Sequence, residues 1–258
     1  MGNMTSKDKN FDPRNYPVSF TIFVLIFSSV IGSIICPPQY SPVAFSIIIL
    51  LIALSCRCPN DLLLTSPINY SALKLYWPIF IYLLITPLML GGFNFSGINS
   101  QLIIYMTGIG FFEELLMHGF CLGLLLRKTG KDSYKSVLKA AIISSALFGI
   151  FHLFMIVQNP KDVHWIALRV STVFFAFFFN LGSAGLAFRT NSIWPAAITH
   201  AIVDIVVFNV GEQDVMSKVI SDWWIKEGLI SIALTAPFGL YGIWLIKNVY
   251  QKDGRNKS

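Results

Sequence analysis

Apolar segments alternate with short polar segments along the whole chain. The apolar segments cover residues 18–35, 41–55, 76–92, 101–126, 136–157, 163–188, 193–210 and 225–247. Apolar runs of roughly this length, with few charges, are typical of helices that cross the hydrocarbon core of a bilayer. Proline marks several of the connections, including Pro37, Pro38 and Pro160. The pattern predicts an all-α polytopic membrane helix bundle of about eight transmembrane helices.

The composition identifies lipid as the solvent of this bundle. Hydrophobic residues make up 55% of the 258 positions and charged residues only 12%, about half the charged fraction of an ordinary soluble domain. The net charge of +6 would suggest nucleic-acid binding in a soluble protein. In a membrane protein, basic residues instead mark the cytoplasmic loops. The bilayer is therefore an expected partner, and nucleic acid is not.

The distribution of basic residues predicts the orientation of the spans. With the N-terminus inside, fifteen lysines and arginines fall on inner segments: Lys7, Lys9, Arg14, Arg57, Lys74, Arg127, Lys128, Lys131, Lys135, Lys139, Arg189, Lys247, Lys252, Arg255 and Lys257. Only four fall on outer segments: Lys161, Arg169, Lys218 and Lys226. This asymmetry predicts that both the N- and C-termini are cytoplasmic.

The expected domains follow from these spans. They are a cytoplasmic N-terminal segment at 1–17, a membrane domain at 18–247 and a cytoplasmic tail at 248–258. The small size of the chain favours a multi-pass protein of the cell (plasma) membrane, with the endoplasmic reticulum as the alternative.

Ionisable residues are concentrated in three of the predicted spans. An ionisable group inside a bilayer costs at least ~3 kcal/mol on insertion scales, so each one requires a reason. Four of them, Glu113, His152, His200 and Asp204, lie about 16–22 Å into the membrane when the distance is counted at 1.5 Å per residue from a basic residue at the inner end of the same helix. This shared depth predicts that the helices pack around one polar cavity. The full set of ionisable residues is Glu113, Glu114 and His118 in the fourth span, His152 in the fifth, and His200 and Asp204 in the seventh.

The spacing within each helix adds to this prediction. Glu114 and His118 are four residues apart, as are His200 and Asp204, so each pair shares a helix face. Glu113 points about 100° away from Glu114, so the two carboxyl groups need not have the same role. A single membrane histidine is often only an interhelical hydrogen-bonding residue. Several ionisable residues at one depth favour a functional site instead.

Three motifs at these positions resemble those of the CPBP family, also called the CAAX-protease and bacteriocin-processing or Abi family. Members of this family are intramembrane proteases. The motifs are Glu113-Glu114-x-x-x-His118, Phe148-x-x-x-His152 and His200-x-x-x-Asp204. The resemblance covers about residues 100–210. It departs from the family pattern at His118, which replaces an arginine, and at Asp204, which replaces an asparagine.

The resemblance implies roles for these residues. Glu113 would act as general base on a water molecule that His152 helps to position, and His200 with Asp204 would face the developing oxyanion. Glu114 would belong to the same catalytic set, with His118 in a supporting role. No cofactor is certain. A Zn²⁺-dependent version of the same protease stays open, in which Glu113, His152, His200 and Asp204 would be the metal ligands.

Two function classes compete with an intramembrane endopeptidase. A small proton-coupled transporter would use the carboxyl groups as an ion site, but it predicts internal repeats, and none is visible in the sequence. A catalytically inactive relative would serve as a membrane scaffold or immunity protein. The expected partner of a protease is a peptide or membrane-protein substrate, whose identity the sequence does not specify. It does not specify the oligomeric state either.

Overall fold

The computed structural model describes residues 12, 15–64, 74–89, 98–153, 163–215 and 223–252, and no strand occurs among them. The helices are α1 Pro17–Ile35, α2 Ser41–Ser55, α3 Trp77–Met89, α4 Ser100–Glu114, a π-helix Leu115–Gly123, α5 Leu124–Thr129, α6 Tyr134–Phe151, α7 Val163–Thr190, α8 Trp194–Val215 and α9 Trp223–Lys252. Because α4, the π-helix and α5 are continuous, the described helices correspond one by one to the eight predicted spans.

Six of these helical segments are long and apolar enough to cross a membrane. They are 17–35, 38–55, 100–129, 134–151, 169–190 and 232–251, and two shorter apolar helices lie at 74–85 and 194–206. The predicted fold class, an all-α polytopic membrane bundle, is confirmed. The identity of the membrane and the cytoplasmic side of each loop stay predictions.

The segment from α4 through the π-helix to α5 lies at the centre of the bundle. It is the most buried of the six candidate spans, and all nine residues of the π-helix are buried. A single-turn π-bulge inside an α-helix is frequent at functional sites, whereas a π-helix of this length is rare. The three leucines Leu124, Leu125 and Leu126 that begin α5 are buried as well.

A buried connection packs against the π-helix. Residues 56–64 follow α2, and Cys58, Leu62 and Leu63 within them are almost fully buried. A Cβ at Gly123 would lie 2.5 Å from the carbonyl oxygen of Asp61, so only glycine permits this approach. Arg127 Nη1 in turn lies 2.5 Å from Asp61 Oδ2. The connection thus closes one end of the bundle instead of standing away from it.

Glycine and serine bring α4, α6, α7 and α8 close together. A Cβ at Gly110 would lie 2.6 Å from the backbone nitrogen of Ala201, which fixes α4 directly against α8. Gly149 does the same for α6 and α7, since its Cβ would lie 2.8 Å from the Val173 carbonyl oxygen. Ser144 of α6 donates a hydrogen bond of 2.9 Å to the Met117 carbonyl of the π-helix. These contacts position the ionisable residues of the three motifs.

Candidate active site

Glu114 is held between two histidines. Its Oε2 contacts Nδ1 of His118, one helical turn further along the chain. Its Oε1 contacts Nδ1 of His200, on α8, at 2.9 Å. Only 2% of the Glu114 side chain is exposed. Since a buried carboxyl group requires hydrogen-bonding partners, this one is held by donors from two different helices.

His118 is anchored on both sides of its ring. Nδ1 contacts Glu114, and Nε2 lies 3.1 Å from the backbone carbonyl oxygen of Asn180 in α7. A carbonyl oxygen only accepts hydrogen bonds, so Nε2 carries a proton. One further proton is then shared between Nδ1 and the Glu114 carboxyl group. Whether the pair is an imidazolium and a carboxylate or a neutral imidazole and a carboxylic acid, its net charge is zero.

Glu113 has a different environment from its neighbour. About a quarter of its side chain, 24%, is exposed, and its Oε2 faces Nε2 of His200 at 3.4 Å. Asp204 Oδ1 faces the same nitrogen at 3.6 Å, and 22% of the Asp204 side chain is exposed. His200 therefore presents one ring nitrogen to Glu114 and the other to Glu113 and Asp204. The two adjacent glutamates face opposite sides of one histidine.

His152 directly follows the last residue of α6, in a 3₁₀ turn that continues this helix. The fifth span is predicted to run to residue 157, but α6 ends at Phe151, and residues 154–162 lie outside the described residues. His152 Nδ1 donates a hydrogen bond of 2.9 Å to the Phe148 carbonyl oxygen. The Phe148 ring lies 4.8 Å from the His152 ring and 6.4 Å from the His200 ring. Phe148 thus links His152 to the histidine at the centre of the cluster.

The structure brings all six residues singled out in the sequence into one neighbourhood. Glu113, Glu114, His118, His200 and Asp204 are joined by direct contacts. His152 joins them through Phe148, whose ring contacts the rings of both His152 and His200. No contact of this kind assigns a catalytic role by itself, so the roles stay proposals.

The arrangement of these side chains does not fit a zinc site. Zn²⁺ requires three or four protein ligands at about 2.0–2.3 Å from one point. Among the described residues no group of three or more His, Cys, Asp or Glu side chains is arranged to hold a metal ion.

Two polar residues of the site escaped the sequence analysis. Asn180 is 2% exposed, and its side-chain amide donates a hydrogen bond of 3.2 Å to Ser145 Oγ, while its carbonyl oxygen accepts from His118. An asparagine within the apolar run at 173–181 is the signal that could have indicated this contact, because a buried amide in lipid also requires partners.

The comparisons with known proteins bear on the same helices. Residues 95–206 match a family model described as Type II CAAX prenyl endopeptidase Rce1-like. The match confirms the family resemblance predicted from the three motifs. The matched segment begins just before α4 and ends within α8, so it contains all six residues of the cluster. No curated protein and no solved structure gives a significant match to the chain. The Rce1-like match supports an intramembrane protease of CAAX type.

Proposed function

We propose that this protein is an intramembrane endopeptidase in which Glu113 activates water. The observation that carries this proposal is the contrast between the two adjacent glutamates. Glu114 is enclosed by His118 and His200, so both of its oxygens are occupied. Glu113 is partly exposed and faces only the second nitrogen of His200. A general base must reach the proton that it abstracts, and Glu113 is the carboxyl group with access.

The reaction adds water across one peptide bond. The Glu113 carboxylate accepts a proton from water as the water oxygen bonds to the scissile carbonyl carbon, and the carbonyl oxygen becomes an oxyanion. The proton then passes from Glu113 to the amide nitrogen. As the carbon–nitrogen bond breaks, the products are a carboxylic acid and an amine. Exclusion of bulk water from the bundle strengthens each electrostatic interaction in this sequence.

In this mechanism His152 acts on the attacking water, and His200 acts on the side of the developing oxyanion. Since Nδ1 of His152 donates to its own helix, a neutral His152 has a lone pair at Nε2 that accepts a hydrogen bond from the attacking water. His200 carries a proton at Nε2 when it faces an ionised carboxylate, so it is a donor on the same side of the ring as Glu113. Asp204 faces that nitrogen too and is the second candidate for the oxyanion side.

A transporter or an inactive scaffold accounts less well for the same contacts. A proton pathway needs a chain of ionisable groups that leads through the membrane. The six residues here form one compact cluster around His200 instead. An inactive scaffold gives no reason for Glu113 to be left partly exposed beside an imidazole.

The description of the matching family indicates which class of substrate to test first. Because the matching family is described as prenyl endopeptidases, we propose a peptide held in or at the bilayer, and a prenylated C-terminus as its first candidate. Purified protein in liposomes should release the last residues of a farnesylated peptide with a CAAX ending. The same peptide without the farnesyl group and an unrelated transmembrane peptide are the comparison substrates, and mass spectrometry identifies the products.

Each outcome of this assay has a defined meaning. Cleavage of only the farnesylated peptide supports the prenylated class. Cleavage of the transmembrane peptide supports an intramembrane endopeptidase of another specificity. If protein that is folded in the liposomes cleaves none of the three peptides, this result contradicts the protease proposal and favours the inactive scaffold.

The substitution Asp204→Asn separates the glutamate mechanism from its metal-dependent alternative. We expect this variant to keep or increase cleavage, since an amide is a permanent hydrogen-bond donor to an oxyanion whereas an ionised aspartate is not. A chelator should leave the wild-type rate unchanged. Rates of peptide cleavage with and without the chelator measure both effects.

The metal alternative predicts the opposite pair of results. If Asp204 ligates Zn²⁺, an amide oxygen is a poorer ligand, and metal affinity and activity fall together. Loss of activity in Asp204→Asn, together with chelator inhibition that Zn²⁺ reverses, would overturn the glutamate mechanism. The acid-to-amide substitution Asp132→Asn in the exposed connection before α6 controls for the chemical change itself.

A further inference from the structure

Arg169 lies at the start of a membrane-spanning segment. It is the first residue of the candidate span 169–190 in α7, and its side chain is half-buried. An arginine is always protonated in proteins. A charged side chain at this place in a helix bundle therefore requires a reason, and such residues commonly mark the path of a substrate or ion. Arg169 belongs to none of the three motifs.

Two contacts establish the register of α6 against α7. The side-chain amide of Asn180 on α7 donates a hydrogen bond of 3.2 Å to Ser145 Oγ on α6. Further along the interface, a Cβ at Gly149 of α6 would lie 2.8 Å from the Val173 carbonyl oxygen of α7. Residue numbers thus rise along α6 where they fall along α7, so the two helices are antiparallel.

One further turn along this interface leads to Arg169 on one helix and to His152 on the other. A Cβ at Gly149 would lie 3.3 Å from Val173 Cγ1 and 3.6 Å from Phe177 Cβ, so these two side chains are on the face of α7 that is turned to α6. Arg169 precedes Val173 by four residues and shares that face. His152 follows Gly149 by three residues in the same direction. The register therefore brings Arg169 beside His152, at the edge of the candidate active site.

The separation of Arg169 from the reacting atoms corresponds to a few residues of peptide. Packed helices lie about 8–10 Å apart, and an extended peptide of three residues spans about 10 Å. A peptide that is cleaved beside His152 therefore has its third following residue near Arg169. If this residue is the last one, its carboxylate meets a guanidinium group. The carboxyl groups of Glu113 and Asp204, which face His200, repel a carboxylate, so its binding requires such a cation.

We propose that Arg169 binds the C-terminal carboxylate of the substrate, so that the enzyme cleaves at a short, fixed distance from a free C-terminus. This inference rests on the proposed protease function and specifies its substrate class. A guanidinium group pairs with a carboxylate through two parallel hydrogen bonds, which fix the orientation of the peptide end as well as its position. The substrates are then peptides that end about three residues after the scissile bond.

Amidation of the substrate tests this role, because it removes the negative charge of the C-terminus and changes little else. The farnesylated peptide with a CAAX ending is compared in liposomes with the same peptide as its C-terminal amide. We expect wild-type kcat/KM to be about 10- to 100-fold lower for the amide, the usual effect of losing hydrogen bonds to a charged group. In Arg169→Gln this preference should disappear, since both peptides are then cleaved at the low rate of the wild type with the amide.

Two further variants complete the test. Arg169→Lys keeps the charge but not the paired hydrogen bonds, so it should retain a reduced preference for the free acid. Arg189→Gln is the matched control, because Arg189 is an exposed arginine near the other end of α7. It should keep the full wild-type preference.

These measurements distinguish failure of this inference from failure of the protease proposal. Equal cleavage of the acid and the amide by the wild type overturns the role of Arg169 and leaves the protease standing, and this comparison needs no variant to fold. Cleavage of the unrelated transmembrane peptide alone has the same meaning. If Arg169→Gln lowers the cleavage of both forms by one factor, Arg169 only maintains the structure of the site, and the inference is wrong. A wild type that cleaves no peptide overturns both proposals.

Discussion

Replacing Glu113 by glutamine should reduce peptide cleavage by about 10³-fold or more, within the range attributed to general base catalysis. Glutamine has nearly the same shape but cannot accept a proton from water. Because Glu113 is partly exposed and its carboxyl group faces His200 across 3.4 Å, the amide can occupy this place without a buried charge being lost. Expression, membrane insertion and the thermal unfolding midpoint should therefore match the wild type. Initial rates in liposomes and unfolding in detergent measure these two effects.

The same experiment includes His152→Ala, which we expect to abolish cleavage as well. Its imidazole directly follows α6, where Nδ1 donates to the Phe148 carbonyl oxygen and the ring contacts the Phe148 ring. Asp132→Asn serves again as the control for a carboxyl-to-amide change outside the site. Near-normal cleavage by Glu113→Gln would remove this residue as the base, and Glu114 would be the next candidate.

The apolar pattern was sufficient to predict the bundle because lipid imposes a simple rule on sequence. A segment whose backbone is surrounded by hydrocarbon must form a helix and carry an apolar surface. The eight predicted apolar segments therefore agree with the described helices to within a few residues at most of the ends that the structure describes. The second span, 41–55, coincides with α2. In the fifth span, α6 covers the predicted residues as far as Phe151, and residues 154–157 of that prediction lie outside the described residues.

The features that the pattern did not predict depend on contacts distant in sequence. The π-helix Leu115–Gly123 has the same apolar composition as an ordinary helix, so its wider turn leaves no sign in the sequence. The close approach of the Asp61 carbonyl oxygen to the π-helix depends on Gly123, which lies 62 residues further along the chain.

Within the site, sequence reasoning worked best for groups that are costly to bury. Ionisable residues in lipid require partners, so a search for them found Glu114, His118 and His200 together. The uncharged Asn180 was missed, although its carbonyl oxygen determines which nitrogen of His118 carries a proton. Pairing partners are set by helix packing, and the single sequence contained no direct information about that packing.

The pair formed by Glu114 and His118 gives the second large expected effect. His118 is completely buried and supplies a hydrogen bond to a carboxyl group that is itself 2% exposed. The substitution His118→Leu leaves that carboxyl group with His200 as its one remaining partner. Removing one member of a buried ion pair costs about 3–5 kcal/mol of unfolding free energy. We expect His118→Leu to lose stability by this amount, measured by unfolding in detergent, and to lose cleavage activity.

A second substitution tests whether this loss comes from the unpaired carboxyl group. In the double variant Glu114→Gln/His118→Leu the acid is replaced by a neutral amide, whose oxygen still accepts the hydrogen bond from His200 Nδ1. The carbonyl oxygen of Asn180 loses its histidine donor in both variants, so that loss cancels in the comparison. The double variant should therefore be more stable than His118→Leu alone, while cleavage stays low.

The conservative substitution His118→Arg completes the comparison. Arginine supplies a permanent positive charge and several donors, so the pair with Glu114 keeps its net charge of zero. This variant should retain most of the cleavage activity that His118→Leu loses. The contrary result is that adding Glu114→Gln to His118→Leu lowers the unfolding free energy by as much as Glu114→Gln lowers that of the wild type. This result would mean that the two side chains are energetically independent. The pairing would then have no part in holding the site together, and His118 would be a packing residue.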